Sequence, residues 1–128
     1  GAPDGTRLAF ESLVDKHLEL FVRDLATGST ERLTENKDED WAPAWAPDGA
    51  RIAFASNRGD NTAIYILDLS TRQTVRVTTD PGDDINPNWG SDGRVYFNSN
   101  RSGVWEIYAV GPDGSGLTKL TETPAKGK

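Results

Sequence analysis

The stretch APAWAPDGARIAFASNRGDNTAIYILDLSTRQTVRVT, Ala42 to Thr78, reads as four short strands in succession. APAWA is a first short strand, and the PDG that follows is a tight turn: Pro47 presets its backbone angle and Gly49 can take positive φ. RIAFAS and AIYILDL are apolar at nearly every position, as strands buried on both faces are. TVRVT alternates, with Val75 and Val77 to one side and Thr74, Arg76 and Thr78 to the other, which predicts a half-exposed outer edge. The pattern is therefore a four-stranded antiparallel unit whose middle is covered on both sides.

The unit is repeated. APDGTRLAFES from Ala2, APDGARIAFAS from Ala46 and GSDGRVYFNS from Gly90 align so that Asp4, Asp48 and Asp92 fall at an even spacing of 44 residues. VRDLATGSTERLT, ILDLSTRQTVRVT and AVGPDGSGLTKLT then end at Thr34, Thr78 and Thr121, so the third copy is one residue shorter. A repeat of this period, built of four strands covered on both faces, predicts an all-β fold of propeller blades. A β-sandwich is the competing reading, but a sandwich needs no such repeat. The chain is read as a single propeller segment over 1–128, with blade 1 at about 1–36, blade 2 at about 41–80 and blade 3 at about 85–123.

Composition limits the partners. Of 128 residues, 20 are acidic and 14 are Lys or Arg, a net charge of −6, and the basic residues are scattered singly rather than gathered into a stripe. Nucleic acid and anionic membrane are poor partners for such a surface. No apolar run reaches the roughly 18 residues of a helical membrane span, and no targeting signal opens the chain. Cysteine is absent, which removes disulfide and thiolate chemistry. Methionine is absent even at residue 1, so Gly1 reads as a processed or cut end.

PAWAPDGARIAFASNR, PNWGSDGRVYFNSNR and the closing RLT, RVT and KLT resemble the Trp-x-Pro-Asp-Gly, WD40-like repeats of TolB-type β-propellers over nearly the whole chain. The resemblance implies a periplasmic or extracellular setting, and the chain itself is read as a non-enzymatic module. Related repeats also occur in the propeller domains of prolyl-oligopeptidase-like peptidases and tricorn-type proteases, and in some oligogalacturonate lyases. TolB itself carries a further N-terminal domain that nothing here resembles.

Three blades do not close a ring, which takes roughly 4–8. Gly1 aligns with Trp45, so the first blade lacks its innermost strand, and Lys128 aligns with Ile85, just short of another copy's first strand. Two chains joined head to tail would give six blades, the size the resemblance implies. An open arc also leaves two blade faces uncovered. The reading is therefore half of a six-bladed ring, closed as a homodimer.

Function falls to the loops. One end of the blades carries ENKDEDW, PGDDIN, SNRGDN and SNRSGVW. Glu39 aligns with Asp83 and Asp40 with Asp84, a carboxylate pair before each complete inner strand. Such pairs at a channel mouth would attract a basic protein or peptide, or, at Asp40 and Asp84, offer oxygen ligands to Ca²⁺. The alternative is that they are solvated loop charges or pair with Arg58 and Arg101. Trp41 and Trp105 break the repeat, standing where Ile85 and Thr62 stand elsewhere, and fit interface anchors. The candidate partner-binding set is thus Glu39, Asp40, Trp41, Arg58, Asp83, Asp84, Arg101 and Trp105. His17 is the only histidine and no Gly-x-Ser-x-Gly elbow exists, so a hydrolase triad is poorly supported and no cofactor is expected. Two other readings stay open: a structural or engineered propeller fragment whose only activity is self-assembly, and a propeller domain accessory to a hydrolase or lyase.

Overall fold

Three antiparallel sheets lie side by side in a computed structural model that describes residues 1–122. The first holds β1 (Arg7–Val14), β2 (His17–Asp24) and β3 (Thr30–Arg32); the second β4 (Asp40–Trp45), β5 (Arg51–Ser56), β6 (Ala63–Asp68) and β7 (Thr74–Arg76). The third holds β8 (Asp84–Trp89), β9 (Val95–Ser99), β10 (Glu106–Val110) and β11 (Thr118–Lys119). Each strand pairs with its neighbour in sequence, as in a propeller blade, and no helix occurs among the described residues. The first sheet has no inner strand, as the repeat alignment predicts. Thr123, the last residue assigned to blade 3, lies outside the described residues.

Local sequence explains the shape of each blade. Gly5, Gly49 and Gly93 sit at φ 74°, 70° and 82° in the turns before the second strand, a conformation that costs a side-chain-bearing residue more. The aspartate ahead of each glycine caps the turn: Asp48 Oδ1 accepts the Ala50 N–H at 2.9 Å. Both complete inner strands carry a register shift, between Trp41 and Ala44 and between Ile85 and Asn88, with Ala42 and Asn86 at positive φ. Pro43 and Pro87 sit within these irregularities, where a strand tolerates a residue with no N–H to donate. The outer edge departs from simple alternation. β7 ends at Arg76, Val75 is exposed and Val77 is buried, because the Val77 and Thr78 N–H groups both converge on the Ile64 carbonyl.

Each blade has an aromatic face and an aliphatic one. Phe10–Phe21, Phe54–Tyr65 and Phe97–Tyr108 are directly opposed in register, with ring centroids 5.7, 5.9 and 6.0 Å apart. Phe54 and Tyr65 pack with Leu20 and Leu33 of blade 1. Phe97 and Tyr108 pack on Ala53, Ala55, Ile64, Ile66 and Val77 of blade 2, with Trp41 and Trp89 alongside. Burying each such large side chain contributes about 1.5–3 kcal/mol. An arginine bridges each junction: the Arg7 guanidinium lies 4.7 Å from the Trp45 ring, and that of Arg51 4.9 Å from the Trp89 ring. Among the described residues the aromatic face of blade 1 and the aliphatic face of blade 3 meet no neighbouring blade.

Candidate functional site

The loop end singled out from the sequence is built of two copies of one charged unit. Asp40 and Asp84 open the inner strands β4 and β8 and are fully buried. Arg58 reaches in from the β5–β6 loop, its Nη2 donating to Asp40 Oδ2 at 3.0 Å and its Nε to Ser56 Oγ at 3.0 Å. The guanidinium lies 5.3 Å from the Phe54 ring and 4.9 Å from the Tyr65 ring. Blade 3 repeats the unit: Arg101 Nε donates to Ser99 Oγ at 3.0 Å, Nη2 stands 3.4 Å from Asp84 Oδ1, and the cation lies over Phe97 and Tyr108. The Asp40 charge is thus neutralised where water is excluded, the condition under which a buried charge is tolerated.

The outer member of each pair is also engaged. Glu39 Oε2 accepts the Leu18 N–H at 3.0 Å, and Asp83 Oδ1 the Thr62 N–H at 3.1 Å. Their own N–H groups donate to Asn57 Oδ1 at 2.8 Å and Asn100 Oδ1 at 2.7 Å. Each acid therefore fastens the hairpin of the preceding blade to the loop of its own. The geometry favours Asp40 and Asp84 paired with Arg58 and Arg101, and Glu39 and Asp83 held by backbone N–H groups, over a free acidic mouth.

Two expectations need correcting. Asp40 and Asp84 are not arranged as Ca²⁺ ligands: a guanidinium already stands where a cation would sit, and among the described residues no group of three or more His, Cys, Asp or Glu converges. Trp41 and Trp105 do not act alike: Trp41 packs against the core between blades 2 and 3, whereas Trp105 is half exposed beside exposed Val104. His17, at the start of β2 opposite Val14, lies on an ordinary hairpin.

One participant was missed from the sequence. Asn36 Nδ2 donates to Asp40 Oδ2 at 2.6 Å, and its counterpart one repeat later is Asp80, whose Oδ1 lies 2.9 Å from Arg101 Nη2. Aligning Asn36 with Asp80 would have exposed both. Burial, and then the Asp80 carboxyl beside it, pushes Asp84 up to about 7, against the opposing pull of the Ser99 and Thr78 hydroxyls.

With three such blades in place, comparison with known proteins decides the family. The family described as TolB beta propeller domain matches residues 2–126. The chain belongs to that family. Among solved structures, TolB from Acinetobacter baumannii is 34% identical, with a TM-score of 0.85 over 94% of this chain and 30% of its own. Putative TolB from Agrobacterium tumefaciens is 27% identical, with a TM-score of 0.88 over 95% of this chain and 44% of its own. This TolB-type propeller chain therefore spans less than half the length of either relative. The tricorn protease, at 23% identity and a TM-score of 0.74 over 91% of this chain and 12% of its own, shares the fold alone. No curated protein matches.

Proposed function

We propose that the chain is a non-catalytic protein-binding propeller module that works through its open blade faces, and that a second copy covers them in a 3 + 3 ring. One observation carries this reading. The junction made twice inside the chain sets the aromatic face of one blade on the aliphatic face of the one before, and the two uncovered faces are one half of that junction each. Blade 1 offers Leu8, Phe10 and Phe21. Blade 3 offers Ile107 and Leu120, 40% and 47% exposed, where their counterparts Ile64 and Val77 are 0% and 6% exposed under blade 3.

The rest of blade 3's face fits such a partner. Ala42, Ala44, Ala53 and Ala55 of blade 2 correspond to Asn86, Asn88, Tyr96 and Asn98. In the inner junction this is where the next blade's inner strand lies, since β8 contacts β4, β5 and β6. A second copy's first blade brings no inner strand to lie over Asn86 and Asn88, so these two amides would face water. Trp105, two residues before Ile107 and half exposed, is the candidate anchor left uncommitted by the loop-end ties. A periplasmic or extracellular setting goes with this reading.

Light scattering across a dilution series tests it. A mass twice the 13.9 kDa of the chain, reduced to the monomer's by Ile107→Asp, supports the reading. A folded monomer at every concentration overturns closure by a second copy, and the faces then await blades from another chain.

A further inference from the structure

We propose that the 79–84 loop is a proton-operated latch at the junction of blades 2 and 3, made by the substitution of Asp80 for the asparagine that the equivalent loop carries. The two loops are internal controls for each other. At the first, Arg58 faces one carboxylate, Asp40, and Asn36 supplies a neutral N–H donor at 2.6 Å. At the second, Arg101 faces two carboxylates, with Nη2 2.9 Å from Asp80 Oδ1 and 3.4 Å from Asp84 Oδ1. One guanidinium cannot neutralise both, and neither carboxylate can donate to the other unless one holds a proton. A shared proton restores the hydrogen bond that Asn36 provides permanently; its loss sets like charges side by side in a nearly water-free site.

Among the described residues no second cation is in contact with the pair. Asp83, next in sequence to Asp84, accepts the Thr62 N–H, and Ser99 and Thr78 are neutral hydroxyls. The Tyr108 ring lies under Arg101, 4.4 Å away. Asp60 and Arg76 line the same cleft as Asp80, but Arg76 is held by the Thr78 carbonyl at 2.6 Å and Asn61 Oδ1 at 3.1 Å. Asp80 itself sits at the wall of that cleft with its side chain 13% exposed, so protons can reach it. The loop it pins also receives the Asn61 side chain, which donates to the Asp80 and Gly82 carbonyls. Releasing the latch therefore loosens the tie between the blade 2 hairpin and blade 3.

The sign follows from the raised acid. The folded chain keeps a proton that the unfolded chain releases near 3.8, so stability falls as pH rises through the window from 3.8 to about 7 and is lowest above it. The turn aspartates act oppositely and lower down: hydrogen bonds hold Asp4, Asp24, Asp68 and Asp113 below their ordinary value, and their contribution is lost as pH falls through it. The test therefore stays above that range.

Thermal unfolding of the 128-residue chain at about pH 5.5 and about pH 8 is the experiment, with Asp80→Asn and Asn36→Asp as reciprocal variants. The unmodified chain is expected to melt about 3–6 °C lower at the higher pH; Asp80→Asn should flatten that difference and Asn36→Asp should enlarge it. An Asp80→Asn chain with an undiminished difference overturns the proposal. Should that variant not fold, carbon-detected NMR titration of the unmodified chain decides: a carboxyl midpoint near neutrality at Asp84 supports the latch, and one in the ordinary aspartate range refutes it.

Discussion

Blade 2 and blade 3 present the same face, one covered and one open, on the same backbone. Where blade 3 lies over it, blade 2 is alanine at 42, 44, 53 and 55 and aliphatic at Ile64, Ile66 and Val77. Blade 3 keeps the aliphatic outer part, with Ile107, Ala109 and Leu120, but replaces the four alanines with Asn86, Asn88, Tyr96 and Asn98. The strand pattern is common to both because pairing depends on backbone and turn chemistry. The composition of the face instead records what packs against it. Small residues mark where the next blade's inner strand, Phe97 and Tyr108 fit, and the amides Asn86, Asn88 and Asn98 stand where the described residues place no next blade.

The comparison breaks most readily at the covered junction. Phe97→Ala removes a fully buried ring that packs on Ala53 and Ala55, and should lower unfolding free energy by about 3–5 kcal/mol in urea titration. Phe10→Ala, at the equivalent position on blade 1 but facing no neighbour among the described residues, should cost about 1–2 kcal/mol. Equal losses would mean that the face of blade 1 is covered in solution. That outcome would itself favour association.

Next in size is the charged unit. Arg58→Met leaves Asp40 buried with Asn36 as its remaining side-chain donor. Losing one partner of a buried pair is costly, and the quarter exposure of Arg58 brings the expected loss to about 2–3 kcal/mol. Adding Asp40→Asn should recover part of it. A double-mutant cycle with no coupling would show that Arg58 acts through Phe54 and Tyr65 alone.

How much of this could be read beforehand differs by residue. The blades were legible because the Asp-Gly turns recur at Asp4, Asp48 and Asp92 and each must supply one positive-φ glycine. The missing inner strand of blade 1 followed from the same alignment. Burial of Asp40 and Asp84 was not legible as an event of its own: a carboxylate at a loop–strand boundary looks solvated until its arginine, 18 or 17 residues on, is placed over it. Trp41 and Trp105 looked alike because both broke the repeat, yet Trp41 lies in a covered strand and Trp105 just before one with an open face. Strand alternation gives a side chain's face, and only the neighbour decides whether that face is wet.

Open-face substitutions should separate folding from assembly. Ile107→Ala removes a side chain that is already 40% exposed, and should cost under about 1 kcal/mol in a dilute, monomeric sample. If two copies close a ring, the same change raises the concentration at which the mass halves. An unchanged dilution profile, with Ile107→Asp equally silent, would place any contact elsewhere.

The smallest effect belongs to a pair that resembles Asp40–Arg58 only on paper. Arg72 and Glu31 join blades 2 and 1 at the outer rim, with side chains 45% and 58% exposed. Water and salt screen both groups, and ordering two long side chains offsets most of the attraction. Arg72→Met should therefore change stability by no more than about 0.5 kcal/mol, and the little it changes should vanish at high salt. The buried pair should keep its coupling under the same conditions, since no solvent separates its charges. If Arg72→Met costs as much as Arg58→Met, then the rim contributes to blade cohesion as strongly as the aromatic-backed arginine, and burial is not what distinguishes the two junction layers.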